Sequence, residues 1–391
     1  MRLLKLELVK LLRAPAILGF LAACLVLNAV AIIATSQSRN IDYLNEVAKT
    51  TGTVYGTEYA VKLQAVPQPG EYDYPRRWLY ESLVRAAENS RNVFAELDTD
   101  KMHEKLGESS QYSNTTMQIQ QWKYSLLAPV IDAKAQARDG DSVYFSGQSM
   151  YIHETVFGTI GKLLAVECGT FFILIMLWAL GYEYMAGTGL VAYSTKTGRK
   201  SAFQKIAAAS LIGTAFFIII YGIGYGLTFV INDFSQVWGQ NVSAQYNAVH
   251  DNVLGSLPFI TWSSMTIGGY FLASVVIAFF NCLVIGLFAV PFGLLITNVY
   301  AAFCSIAGIA FLLAMFYTYG LMSPGGVPFV WNLSLITPLT QILNNTLWFT
   351  DGGMRMLLPR FEVFYPLICV ALLCPALFAA VKRFTRKEIL R

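Results

Sequence analysis

The stretch GYEYMAGTGLVAYSTKTGRK, residues 181–200, sets glycines, hydroxyls and a basic cluster between two of the most apolar segments of the chain. Such a composition could cradle nucleotide phosphates. A Walker-type loop needs G-x-x-x-x-G-K-[ST], where glycine backbone amides surround the phosphates and the lysine and hydroxyl complete the site. The spacing excludes it: Gly198 is followed by Arg199 and Lys200, Gly189 is at the wrong distance upstream, and Gly161-Lys162 runs on into Leu163. Zinc-protease spacing fails too, because His103-Glu104 and His153-Glu154 reach Gly107 and Phe157 where a second histidine is required. Gly147-Gln148-Ser149 starts like a nucleophile elbow and continues Met150-Tyr151 without the closing glycine. With no matched acid, base and nucleophile and only three histidines, the chain is read as having no catalytic centre and no metal site.

The elements around these residues are apolar. Of 391 residues, 55% are hydrophobic and 13% charged, about half the charged share expected of a soluble domain. Windows long enough to cross a hydrocarbon core as helix lie near residues 14–34, 163–182, 207–231, 265–290, 299–320 and 363–381. The fold expected is therefore an all-α polytopic membrane protein with six transmembrane helices. The first window exceeds a signal-peptide core and lacks a clean cleavage site, so it reads as a retained anchor. Glu167 is the one charged side chain inside the six windows, and with Asn281 it marks a candidate intramembrane polar site. Lying a turn inside its span, Glu167 can also pair with Lys162 or meet water, and its position favours that reading. All six cysteines fall inside the windows, so the other segments fold without disulfides.

Lysine and arginine set the expected orientation. Arg2, Lys5, Lys10 and Arg13 precede the first window; Lys196, Arg199, Lys200 and Lys205 lie between the second and third; Lys382, Arg383, Arg386, Lys387 and Arg391 follow the sixth. No lysine or arginine separates the third and fourth windows. Both termini are thus expected in the cytoplasm, and the basic face suits an anionic inner leaflet without invoking nucleic acid.

Residues 1–13 read as an amphipathic interfacial helix, with Arg2, Lys5, Lys10 and Arg13 opposite Leu4, Leu8, Leu11 and Leu12. Residues 36–158 are long enough for a mainly helical extracytoplasmic domain. Within it, apolar spacing through Val93, Phe94 and Leu97 suggests one helix over 78–97, and a second helix carries Pro129. The apolar segment 321–360, broken by prolines and glycines, suggests short re-entrant helices. VPFGLLITN between the fourth and fifth windows should form a tight hairpin, and residues 382–391 form a basic tail.

The segment 183–205 is more than a positive loop, because Tyr184, Met185, Leu190, Val191 and Tyr193 form an apolar and aromatic set that a solvated connector would not need. The run Glu183-Tyr184-Met185-Ala186-Gly187-Thr188, with Arg199 and Lys205 beyond it, resembles the cytoplasmic signature of ATP-binding-cassette type-2 exporter permeases. The basic first helix and the broken segment before the sixth window are similar to that family in order and position; the 36–158 insertion is not covered. The resemblance implies a coupling helix in which Glu183, Tyr184, Gly187, Thr188, Tyr193 and Arg199 dock on a separate ATPase subunit. It further implies a bacterial plasma membrane, a second permease copy or paralogue, and a hydrophobic or amphipathic cargo such as a peptide or lipid-like molecule. No cofactor is expected in this chain, with ATP and magnesium on the partner ATPase. The competing expectation is a membrane-anchored receptor or immunity protein that binds an extracellular ligand through residues 36–158 without transport.

Overall fold

The computed structural model describes residues 2–36, 38–90, 92–99, 114–144, 149–194, 198, 201–244, 260–322, 327–352 and 356–386. Among them the chain is helical, with three isolated β-bridges and no strand. In chain order, α1 (Arg2–Leu12) leads to α2 (Pro15–Ala34). The following segment holds α3 (Ser38–Thr51), α4 (Thr57–Gln64), α5 (Tyr74–Glu88) and α6 (Asn114–Ala137). The short α7 (Ser149–His153) passes through a π-helical turn, Glu154–Ile160, into α8 (Gly161–Met185). Next come α9 (Gly189–Ser194), α10 (Ala202–Ile231), α11 (Ile267–Leu295) and α12 (Val299–Met322). The chain closes with α13 (Val327–Ser334), α14 (Pro338–Leu343) and α15 (Phe361–Arg386).

Six helical stretches are long and apolar enough to cross a membrane, at the six expected windows. The second extends furthest beyond its window, from Tyr151 to Met185, because the π turn joins α7 to α8 without a break. These helices are apolar all round, the pattern of elements surrounded by lipid or by one another. Two thirds of the α8 window is buried within the chain against 11% for α12, so α8 is the axis of the bundle and α12 its rim. It packs mainly on α10 and α11. Phe172 fills notches at Gly213 and Gly286, where an added Cβ would come within 2.4 and 3.0 Å of its ring. Small residues permit such close helix approach in a membrane, where lipid tails offer no hydrophobic drive for association.

Several boundaries differ from expectation. On α1 the inward stripe is Leu4, Glu7, Leu8 and Leu11, while Leu12 is exposed, because the helix packs on α10 and buries a carboxylate along with its leucines. Helix α5 stops at Glu88, and Val93 and Phe94 join a separate cluster with Tyr124, Leu127, Ile131, Ile260 and Trp262. Helical spacing there reflected burial against α6 rather than one continuous helix. Asp139–Asp141 form a 3₁₀ turn, and Pro129 lies inside α6. The hairpin between α11 and α12 is as short as expected, with the Asn298 carboxamide oxygen accepting from the amides of Tyr300 and Ala301 at 2.9 and 3.2 Å.

One face of α6 is held by buried cations. Lys134 Nζ pairs with Asp139 at 3.0 Å and donates to Ser243 Oγ and Thr261 Oγ1 at 3.0 and 2.9 Å. Three turns away, Lys123 Nζ donates to the carbonyls of Asp351 and Met356 at 3.2 and 2.9 Å. Burial pushes the Lys123 ammonium down to about 8, with the Asp351 charge opposing the shift. These bonds clamp α6 to the loop before α11 and the segment before α15.

Candidate functional site

At the end of the bundle where α1, α8, α9, α10 and α15 converge, the chain buries a knot of four charges. Glu183, in the last turn of α8, accepts from Lys10 of α1 at 3.0 Å and from Lys205, one turn into α10. Lys10 also pairs with Glu7 on its own helix. Two carboxylates thus meet two ammonium groups, and their side chains are only 3 to 20% exposed. Buried charge is tolerated when paired and hydrogen-bonded in this way. The sequence put a lone acid and a lone base at neighbouring ends of two apolar helices, and the fold joins them.

Tyr193, from α9, completes the knot. Its hydroxyl donates to Glu183 Oε2 at 3.3 Å and accepts from Lys205 at 3.3 Å. Burial, with the negative Glu183 beside it, raises the phenol well above its usual range, so it remains a donor. Its ring meets Tyr184 at 5.4 Å and, edge-on, Phe384 of α15 at 5.4 Å. Lys10 lies 4.6 Å over the Tyr182 ring and Lys205 5.3 Å over that of Tyr193, within cation–π range. Helix α9 is therefore fixed to both neighbouring spans, to α1 through Glu183, and to α15.

Gly187 and Thr188 explain the sharp turn before α9. Gly187 has φ +69°, the left-handed conformation that ends helices. Its amide donates to Tyr184 O at 3.2 Å and the Thr188 amide to Glu183 O at 2.9 Å, the paired bonds of a Schellman cap. Thr188 then begins α9, accepting from the Ala192 amide at 2.9 Å. The turn leaves Gly187 and Thr188 exposed, together with Met185 at 39% and Val191 at 73%.

Of the residues expected at a docking surface, the fold brings Glu183, Tyr184 and Tyr193 together, but Glu183 and Tyr193 face inward. Gly187 and Thr188 face outward, and Arg199 lies outside the described residues. Spacing alone missed Lys10, Glu7 and Phe384. The available signal was Glu7 at the centre of the leucine stripe of α1, a carboxylate whose burial demands a cation.

Among the described residues no hydrogen bond joins the two intramembrane polar residues. Glu167 is 7% exposed and accepts from Asn28 Nδ2 of α2 at 2.8 Å, with the Cys24 thiol also bonded to it. Among the described residues Glu167 makes no ion pair with Lys162; it faces its neighbour helix, and the bond links α2 to α8. Asn281 is fully buried on α11, and among the described residues neither of its amide atoms has a hydrogen-bond partner. Its neighbour Cys282 donates to Ala165 O at 3.4 Å.

Compared with models of protein families, with curated proteins and with solved structures, the chain matches none.

Proposed function

We propose that this chain is the membrane-spanning permease subunit of an ATP-driven exporter, working as a pair of permeases with two separate ATPase subunits. The observation that carries the reading is α9: a short helix between the second and third spans, anchored to four other helices by the charge knot, that exposes Val191, beside Met185 and Thr188 exposed at the turn before it. An apolar side chain such as Val191, 73% exposed on a rigidly held helix, suits a protein contact better than a solvated connector does. Glu183 and Tyr193 then act as positioning residues that transmit force, and the contact itself falls to the exposed side chains. ATP-driven closure of the ATPases would move α8 and α10 together, because Glu183 and Lys205 bind the two to each other. Differential contact with the two ATPase states is what such coupling requires. The cargo consistent with spans almost free of charge is hydrophobic or amphipathic.

The test asks whether a Walker-type ATPase co-purifies with this chain, followed by an ATPase assay of the complex. Val191→Glu should weaken co-purification at least about tenfold, equivalent to ~1.4 kcal/mol, and abolish stimulated hydrolysis while membrane insertion and thermal stability are kept. Retained stimulation in that variant would exclude α9 as the contact. Absence of any bound ATPase would favour the receptor reading.

A further inference from the structure

At the opposite end of α8 from the knot lies a cavity of about 410 Å³, lined by Ala34, Thr35 and Ser36 from the end of α2 and by Tyr151, Glu154, Thr155 and Thr159. The size falls within the range of small-ligand sites. The π turn makes it. Its i→i+5 repeat sets Thr159 over Glu154 on the cavity side, and π turns concentrate at functional positions. Gly158 gives the carboxylate room, since a Cβ there would lie 2.3 Å from Glu154 Oε1.

The polar groups are set to accept. The Thr35 hydroxyl spends its hydrogen on Ala31 O at 2.9 Å, and Ser36 Oγ donates to Asn232 Oδ1 at 3.2 Å. A hydroxyl has one hydrogen and two lone pairs, so Thr35 Oγ1 offers acceptors to the cavity and Ser36 Oγ, which already accepts from the Ser38 amide at 3.4 Å, offers one more. The Tyr151 hydroxyl is likewise engaged, donating to Thr35 O. Among the described residues no ion pair neutralises Glu154, and the C-terminal end of α2 adds partial negative charge. A ligand that matches brings hydrogen-bond donors and positive charge. One turn below Ala34, Val30 continues a stripe with Val26 and Ile33 that is 61 to 66% exposed, a track for an apolar tail.

We infer that the cavity between the end of α2 and the π turn binds the ammonium group of an amphiphile, with Glu154 as its counter-ion and Thr35, Ser36 and Thr159 as acceptors. The ammonium comes from a lipid headgroup or from a soluble amphipathic amine. Binding is read directly, so the inference stands or falls apart from transport.

The test titrates the full-length protein in neutral detergent with dodecylammonium chloride and, separately, sodium dodecanoate, counting bound ligand by native mass spectrometry. One dodecylammonium should bind, at least tenfold more weakly in Glu154→Gln. Gly158→Ala, which displaces the carboxylate without altering its charge, should also weaken it. Equal binding by wild type and Glu154→Gln, or binding of dodecanoate as tight as that of the amine, overturns the assignment. Displacement by phosphatidylethanolamine but not phosphatidylglycerol supports the site with a lipid headgroup as occupant. Saturation that neither lipid displaces supports it with a soluble amine.

Discussion

Glu183 carries more of the site than any other side chain, and what it carries is pairing. Removing its charge leaves Lys205, 3% exposed, without a carboxylate partner and Lys10 with Glu7 alone, and breaking a buried pair from one side costs about 3–5 kcal/mol. Glu183→Gln should therefore lower the thermal midpoint markedly, while Glu183→Gln with Lys205→Met, which removes both charges, should recover much of the loss. Additive losses in that double variant, measured by thermal unfolding in detergent, would show that the two residues are not coupled. Lys123 gives a second residue-scale expectation. Its ammonium titrates near 8 in the fold and at 10.5 when exposed, so between these values the unfolded chain binds more protons and stability rises with pH. Buried Tyr43 and Tyr59, held up to about 12, reverse the trend once unfolded phenols ionise above 10. Unfolding midpoints should thus climb from pH 8 to about 10, and Lys123→Met should flatten the climb. A wild-type profile as flat as that of the variant would refute the buried cation.

Among the elements, α9 depends on the cap that precedes it. Gly187 at φ +69° has open space where a Cβ would go, so Gly187→Ala meets no clash and its cost is conformational, roughly 1–2 kcal/mol. Thermal unfolding should register that loss; an unchanged midpoint would mean that the turn has another conformation available. The glycine was visible in the sequence, and so were the six spans, because a charge in hydrocarbon is too costly to hide and the windows are nearly free of it. Element ends were less legible. Val93 and Phe94 continue a helical spacing past Glu88 because they are buried against α6, and spacing records burial without saying against what. The knot was half legible: Glu183 and Lys205 stand out as charges at apolar boundaries, whereas Lys10 reaches Glu183 across 173 residues, a contact that only tertiary packing determines. The cavity at Glu154 had no motif at all, since it depends on a π turn that places an ordinary Glu-Thr pair beside the end of α2.

At the scale of the whole molecule, one continuous helical path from Tyr151 to Met185 connects the Glu154 cavity to the Glu183 knot, so the two sites lie at opposite ends of the bundle. Which end faces the cytoplasm decides whether α9 can meet an ATPase. The basic flanks favour the knot end: thirteen of the 28 lysines and arginines lie in the N-terminal flank, the 183–205 segment and the C-terminal tail, while residues 36–160 carry an acidic excess. Cysteine labelling in intact cells measures this directly. Tyr72, fully exposed in the segment between α2 and α7, and Thr188, exposed at the start of α9, are reporters at the two ends. All six native cysteines fall within or between apolar spans, which limits their reaction with a polar reagent. A membrane-impermeant maleimide should label Tyr72→Cys in intact cells and Thr188→Cys only after permeabilisation. The reverse pattern would put the knot outside the cell, remove any route from ATP hydrolysis to α9, and turn the charge cluster into a device that only holds five helices together.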